Sequence, residues 1–352
     1  MRILVIQQKM IGDVLTSSIL FEALRLKYPK ARLDYLINEH TYAVVENNPN
    51  IDHYIFFTEK IEQSKIEFVK LARTIRKKRY NIIIDVYSKL SSNFISQFSG
   101  AEKKISYDKK YTRSIYDHNI KRDKKVSNKI GLAIYNRMQL LEPLGIEISP
   151  IKPKIYLKEK EISNGKSYLR DKGLKPNSPI YIISLLGSDP SKTYPFDYMA
   201  QVIDKIAQSA PNSQLLFNYL PSQVELAVKI YNSCAEATKE LVFFDVFGKN
   251  LREFLAIAYH CKALIGNEGG AINMAKALNV STFSIFSPWI DKASWGLFED
   301  DNNKSVHLKD YKPELYTKPE KKFKKESETL YQSFKPELFF DKLEKFLNQI
   351  ND

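Results

Sequence analysis

The sequence predicts an α/β protein made of two Rossmann-like units in series. Three observations carry this. Short apolar runs alternate with stretches of helical periodicity from the first residues onward. The alternation pauses at residues 145–154, which hold two prolines and little periodicity, and then restarts. Glycine, hydroxyl and acidic residues gather in turns that follow the apolar runs. Such alternation implies a parallel sheet covered by helices. Ligands of such sheets bind beyond the carboxyl ends of the strands.

The elements follow in order. Ile3-Leu4-Val5-Ile6 is a continuous apolar run, as in a strand buried on both faces. Gly12 breaks it. Leu15, Ile19, Ala23 and Leu26 then recur at helical spacing until Pro29 stops the helix. Further strands are expected at 33–37, 54–57 and 82–86, with helices at 61–78 and 130–144. In the second half, strands at 180–185, 214–217, 241–244, 263–265 and 282–286 alternate with helices at 196–209, 223–237, 251–260 and 271–278. Pro336 opens a last helix with Phe339, Phe340, Leu343, Phe346, Leu347 and Ile350 on one face. The expected division is a first domain over residues 1–150, a second over 151–330 and a closing helix over 331–352.

Composition excludes several classes. No run approaches the roughly 18 apolar residues that span a bilayer. The run at 3–6 is too short for a signal-peptide core, so a cytoplasmic location is expected. Cys234 and Cys261 make no disulfide framework, and the five histidines form no ligand-spaced cluster, so no metal is expected. The net charge of +13 suits an anionic partner. From Lys103 to Lys125 nine Lys/Arg face three Asp, with Tyr107, Tyr111 and Tyr116 among them. Lys321, Lys322, Lys324 and Lys325 form a second cluster. Neither cluster accompanies an RNA-binding, zinc-finger or basic-zipper pattern, so nucleic acid is not the expected partner.

Three motifs follow strands. Met10-Ile11-Gly12-Asp13 places glycine at a turn and a carboxylate at a helix start. Asp13 reads either as an N-cap or as a base for an acceptor hydroxyl. The single glycine is no dinucleotide fingerprint. The stretch from Leu185 to Pro195 holds Ser188, Ser191, Lys192 and Thr193, which suit a diphosphate or a polar turn. It lacks P-loop spacing. Gly266-Asn267-Glu268-Gly269-Gly270-Ala271-Ile272-Asn273 joins a strand to a helix. Paired glycines there expose backbone N–H groups and the positive end of the helix dipole. Glu268 would repel a phosphate and suits sugar hydroxyls better.

In this order and setting, the motifs resemble glycosyltransferase family 9, the ADP-heptose:lipopolysaccharide heptosyltransferases and their relatives. The resemblance runs over nearly the whole chain. It is strongest from Ile11 through Leu24-Arg25 to Pro29 and from Gly266 through Leu278 to Phe286-Ser287-Pro288, with Gly248-Lys249 and Leu251-Arg252-Glu253 between them. It implies a GT-B fold: two Rossmann-like domains facing a cleft, the C-terminal helix packing back on the N-terminal domain. It implies an inverting transfer without metal or other cofactor. Asp13 aligns with the general base and Lys192 with a phosphate-binding lysine. Ser188 falls among hydroxyl contacts, Glu268 near the donor sugar and Gly269 and Gly270 at the diphosphate. The implied partners are a nucleotide-sugar, ADP-linked by resemblance, and an anionic glycolipid or glycan of the lipopolysaccharide core. A peripheral contact with the cytoplasmic face of the inner membrane goes with them.

The departures bear on donor and acceptor. Many members have Asp-Thr-Gly-x-x-His where this chain runs from Glu268 to Asn273, so a titratable histidine becomes an uncharged amide. Gly-Gly-Pro-Glu becomes Tyr219-Leu220-Pro221-Ser222, without the acid. An acceptor-side lysine falls at Ser91, with Lys89 close by. A different nucleotide-hexose serving a surface polysaccharide, or a non-catalytic nucleotide- or glycan-binding protein, stays open on the residues alone.

Overall fold

A computed structural model describes residues 1–124, 131–317 and 323–351. Lys125, Lys321 and Lys322 of the two basic clusters lie outside the described residues. The chain divides into one unit of Met1–Tyr156 with Ala293–Leu297, and another of Leu157–Lys292 with Phe298–Asp352. The division falls a few residues beyond the expected one, and the short excursion at 293–297 has no mark in the sequence.

The first unit holds β1 (Arg2–Ile6), β2 (Arg32–Asn38), β3 (His53–Phe57), β4 (Ile82–Asp85), β5 (Lys103–Tyr107) and β6 (His118–Ile120). Their order is β3-β2-β1-β4-β5-β6, and every pair is parallel. The second holds β7 (Ile180–Ser184), β8 (Gln214–Asn218), β9 (Val242–Phe243), β10 (Ala263–Asn267), β11 (Ser281–Ile285) and β12 (Asn303–Val306). Their order is β12-β11-β10-β7-β8-β9, again all parallel. Each chain segment builds outward from its first strand, crosses back, and builds outward on the other side. The reversal falls between β1 and β4, and between β7 and β10. Loops leaving these neighbours diverge to opposite faces and open a crevice at the carboxyl edge.

The central strands are the most apolar. All of β4, β7 and β10 is buried, and all of β1 after Arg2. The pattern missed β5, β6 and β12. Residues of β5 read Lys-Lys-Ile-Ser-Tyr, with only the last three buried. The other two are short polar strands at sheet edges, where one flank needs no apolar cover and charge discourages further pairing. The basic stretch after Lys103 is therefore two strands and their connection, with Tyr107, Thr112 and Tyr116 buried. The helix expected before Pro29 is broken at Ser18 into Ile11–Ser17 and Ile19–Lys27. Leu26, placed on its inner face by spacing, is exposed, and Leu24 is buried instead.

The C-terminal helix, Phe340–Asn351, joins the core of the second unit. Leu343, Phe346, Leu347 and Ile350 are buried with Tyr181, Met199 and Phe283. The Phe346 ring lies 5.6 Å from that of Phe283 on β11. Tyr181 donates to Asn351 Oδ1 at 2.7 Å, and Lys205 pairs with Glu344 at 2.8 Å. An apolar stripe with no polar break covers the nearest uncovered sheet face, and aromatic residues on β7 and β11 offer it. Phe346→Ala should cost about 3–5 kcal/mol in urea unfolding. A loss under about 1 kcal/mol would show that the helix does not complete this core.

His307 follows β12 and is buried. Its Nδ1 accepts the Lys309 N–H at 3.0 Å, a bond that protonation of that nitrogen would break. Burial pushes its pKa down to about 4. Unfolded histidine titrates near 6.5. Between those values the unfolded chain binds more protons, so stability falls as pH drops through that window. His307→Gln should flatten the melting temperature between pH 6.5 and 4. An unchanged slope would place the acid sensitivity elsewhere.

Candidate active site

In the first unit the site forms around the loops leaving β1 and β4. Asp13 is the third residue of the helix Ile11–Ser17, not its N-cap; Met10 occupies that place without a side-chain cap. The turn also belongs to Met10, with φ 68°, and not to Gly12, which sits inside the helix. Asp13 reaches instead to Arg137, whose Nη2 donates to Oδ1 at 2.6 Å. Arg137 is buried and fixed twice more, to Ser17 Oγ at 2.9 Å and to the Ala133 carbonyl at 2.8 Å. Asp13 Oδ2 accepts no hydrogen bond among the described residues. Arg137 was not singled out in the sequence. An arginine among Ala133, Ile134, Met138 and Leu141 was the available signal, since a buried guanidinium needs a carboxylate.

The β4 loop is built on Asp85, which is fully buried. Burial pushes its carboxyl up, and hydrogen bonds oppose that, from Tyr116 first. Tyr116 donates to Oδ2 at 2.6 Å and the Ser88 N–H to Oδ1 at 2.7 Å. Ser88 has φ 49°. Thus both loops flanking the strand reversal carry a non-glycine residue with positive φ, a strained conformation that clusters at functional sites. Gln8 Nε2 and Ser88 Oγ, one in each loop, are buried without partners among the described residues. Gln8 Oε1 accepts from Ser91 Oγ at 2.6 Å, so Ser91 ties the two loops together.

Cations crowd the same edge. Lys109 donates to the Ser88 carbonyl. Its pKa is lowered by burial, then by Arg122 and Lys89, with Asp85 opposing. Arg122 stacks on Tyr107, its guanidinium carbon 3.7 Å from the ring centre. The Tyr107 hydroxyl is pushed up by burial and pulled back by Arg137 and Arg122, while Asp13 adds to the rise. Lys89, Lys109 and Arg122 thus form a cationic cluster on the loops after β4, β5 and β6. Cations close enough to destabilise one another attract an anion.

In the second unit the loop after β7 folds tightly on itself. A Cβ at Gly187 would meet the Lys192 carbonyl oxygen at 2.3 Å, so only glycine fits. The Gly187 N–H donates to Thr193 Oγ1 at 3.1 Å. Asp189 Oδ1 accepts the Ser191 N–H at 2.9 Å and its hydroxyl at 2.5 Å. Ser287 Oγ and Trp289 Nε1 both donate to the Ser191 carbonyl, at 2.7 and 2.9 Å. Lys192 Nζ then lies 5.5 Å from the Trp289 ring centre. Asn267, at the end of β10, donates to the Ser184 and Leu185 carbonyls and accepts the Tyr194 N–H at 2.7 Å.

Glu268 follows directly. Burial pushes its carboxyl up and the Lys192 charge opposes the shift. Gly269 caps the helix Gly270–Ala277 with φ 157° and ψ −161°, a region open essentially to glycine alone. A Cβ at Gly269 or Gly270 would meet nothing within 4 Å, so this helix start faces open space. Asn273 lies one turn into that helix, its N–H on the Gly269 carbonyl at 3.3 Å. Ser188 is exposed and makes no side-chain hydrogen bond among the described residues. Its neighbour Ser191 is the hydroxyl that the loop holds.

The chain is similar to known proteins over most of its length. Residues 68–324 match the profile of Glycosyltransferase family 9 (heptosyltransferase). Lipopolysaccharide heptosyltransferase 1 of Campylobacter coli is 22% identical over 296 residues, covering 81% of this chain and 84% of that one. Two solved structures share the fold. The glycosyl transferase family 9 protein of Veillonella parvula has a TM-score of 0.75 at 18% identity, over 94% of this chain and 97% of that one. The Escherichia coli ADP-heptose lps heptosyltransferase II has a TM-score of 0.74 at 16% identity, over 100% of both chains.

Tyr116→Phe should cost about 1.5–3 kcal/mol, because it removes a hydrogen bond from a buried carboxyl. The loss should appear in chemical denaturation together with faster amide exchange at residues 86–89. A neutral substitution would mean that Asp85 holds the loop without Tyr116.

Proposed function

We propose that this chain, which belongs to glycosyltransferase family 9 and is a glycosyltransferase, works by a single inverting displacement with Asp13 as base. One observation carries the reading. Arg137 occupies one oxygen of Asp13 and leaves the other without a partner among the described residues. A carboxylate held by one oxygen keeps its orientation while the second accepts the acceptor's hydroxyl proton. The profile match begins after Asp13, so this role rests on geometry and on the resemblance of the β1 loop.

As the acceptor oxygen bonds to the anomeric carbon, the carbon–oxygen bond to the diphosphate breaks. The electron pair leaves with the diphosphate, which gains one negative charge. Lys192 and the open helix start at Gly269 and Gly270 suit that charge. Asn273 can donate a hydrogen bond, and exposed Ser188 is free to do so. Glu268, in the loop after β10, suits hydroxyls of the donor sugar. In this reading protein cations handle the leaving charge, with no metal ion or other cofactor.

Heptose from ADP-heptose is the first donor to test, since heptosyltransferases are the chain's relatives. Tyr219-Leu220-Pro221-Ser222 and Asn273 favour testing other nucleotide-hexoses beside it. On the acceptor side, Lys89, Lys109 and Arg122 suit an anionic glycan of a lipopolysaccharide core or related surface glycolipid. No helix among the described residues is long and apolar enough to cross a membrane. A glycolipid acceptor would bring the chain to the cytoplasmic face of the inner membrane as a peripheral protein.

Asp13→Ala should lower kcat about 10²–10⁴-fold with ADP-heptose or whichever nucleotide-sugar is turned over. Nucleotide affinity should stay near that of the unaltered chain. Turnover close to the unaltered rate would remove Asp13 from the base position.

A further inference from the structure

We propose that Lys324 is a second cation for the leaving diphosphate, acting with Lys192 across Trp289; this rests on reading the Lys192 loop as the donor-phosphate site. Lys324 belongs to the second basic cluster, which the mechanism above leaves unused. Its Nζ lies 4.9 Å from the Trp289 ring centre, and Lys192 Nζ lies 5.5 Å from the same centre. Two ammonium groups from segments over a hundred residues apart thus share one indole.

The backbone on both sides of Lys324 is anchored. Phe323 is buried, its ring 4.9 Å from that of Tyr316. Leu330 and Tyr331, on the following helix Ser327–Ser333, are buried in the same core. Tyr331 also borders the site: burial pushes its hydroxyl up, Ser287 opposes the shift, and the Glu268 and Asp189 charges add to it. Trp289 is held by its N–H on the Ser191 carbonyl. Lys324 itself is exposed and forms no salt bridge among the described residues, so a weak contact with an indole face is what holds it. That contact leaves the ammonium able to move onto a phosphate.

Charge explains why a second lysine is needed. Asp189, whose carboxyl is lowered first by the Ser191 hydroxyl, senses both Lys192 and Lys324. The Lys192 charge also opposes the burial-driven rise at Glu268. Lys192 alone would stand against two carboxylates, a poor balance for an incoming diphosphate and a worse one for the more highly charged leaving group. Lys324 restores the balance where the charge develops. It also supplies positive charge to a site whose third motif ends in Asn273 and not in a titratable histidine.

The test is calorimetric titration of the full chain with ADP, UDP and GDP, and with the monophosphate matching the tightest of them. Lys324→Gln should weaken diphosphate binding about tenfold or more, the scale of one lost charge-assisted hydrogen bond. Monophosphate affinity should change less than about twofold, because the clamp acts on the terminal phosphate. Lys324→Arg should keep most of the affinity. Lys325→Gln, the same charge change on an exposed neighbour, should change nothing. If Lys192→Gln loses diphosphate affinity and Lys324→Gln does not, Lys324 is no part of the clamp and the donor-phosphate reading stands. Equal weakening of mono- and diphosphate by Lys324→Gln would also overturn the clamp. If neither lysine variant alters diphosphate binding, the donor-phosphate reading fails and takes the clamp with it.

Discussion

Everything at the two candidate sites depends on one constraint of parallel sheets. A chain that builds such a sheet outward in one direction must cross back once to build the other half. Two neighbouring strands then send their connections to opposite faces. Here that happens between β1 and β4 and between β7 and β10. The gap left at the carboxyl edge is where backbone groups and side chains can face a ligand without being needed for the sheet. Asp13 and the Asp85 loop occupy it in the first unit. Lys192 and Glu268 occupy it in the second.

Each gap is stiffened by a buried polar residue working on the loops around it. In the first unit Asp85 binds the backbone of its own loop and the hydroxyl of Tyr116, and Arg137 fixes Asp13 from a separate helix. In the second, the Asn267 side chain holds three backbone groups from the β7 end and the Lys192 loop. Such residues are costly to bury unless every bond is made. Their bonds are directional, which apolar packing is not. The loops are thereby held in positions that hydrophobic contacts alone would leave loose.

Much of the fold was legible because the central strands are covered on both faces and must be apolar. The strands with polar sequences escaped, since an edge strand needs cover on fewer sides. Their omission mattered. The stretch after Lys103 reads as a basic patch, yet it folds as β5, β6 and their connection. Only that folding brings Lys109 to the Ser88 carbonyl and Arg122 onto Tyr107, and buries Tyr107 and Tyr116. The site residues were legible where glycine or proline marks a turn after a strand, as at Gly187, Pro195 and Gly269. Arg137, Asp85 and Ser287 were not, because each acts through a partner distant in sequence.

The sequence by itself determined two α/β units, the position of their strand-end loops and a family resemblance that named Asp13 and Lys192. Local periodicity and turn chemistry are enough for that, since they act over a few residues. Tertiary structure alone decided which groups meet. It moved the turn of the first motif from Gly12 to Met10 and paired Asp13 with Arg137. It placed the C-terminal helix on the second unit's own sheet and set both Lys324 and Lys192 against the Trp289 ring. Those pairings depend on which sheet face or loop stands uncovered once the strands are ordered, and that is a property of the assembled chain rather than of any segment within it.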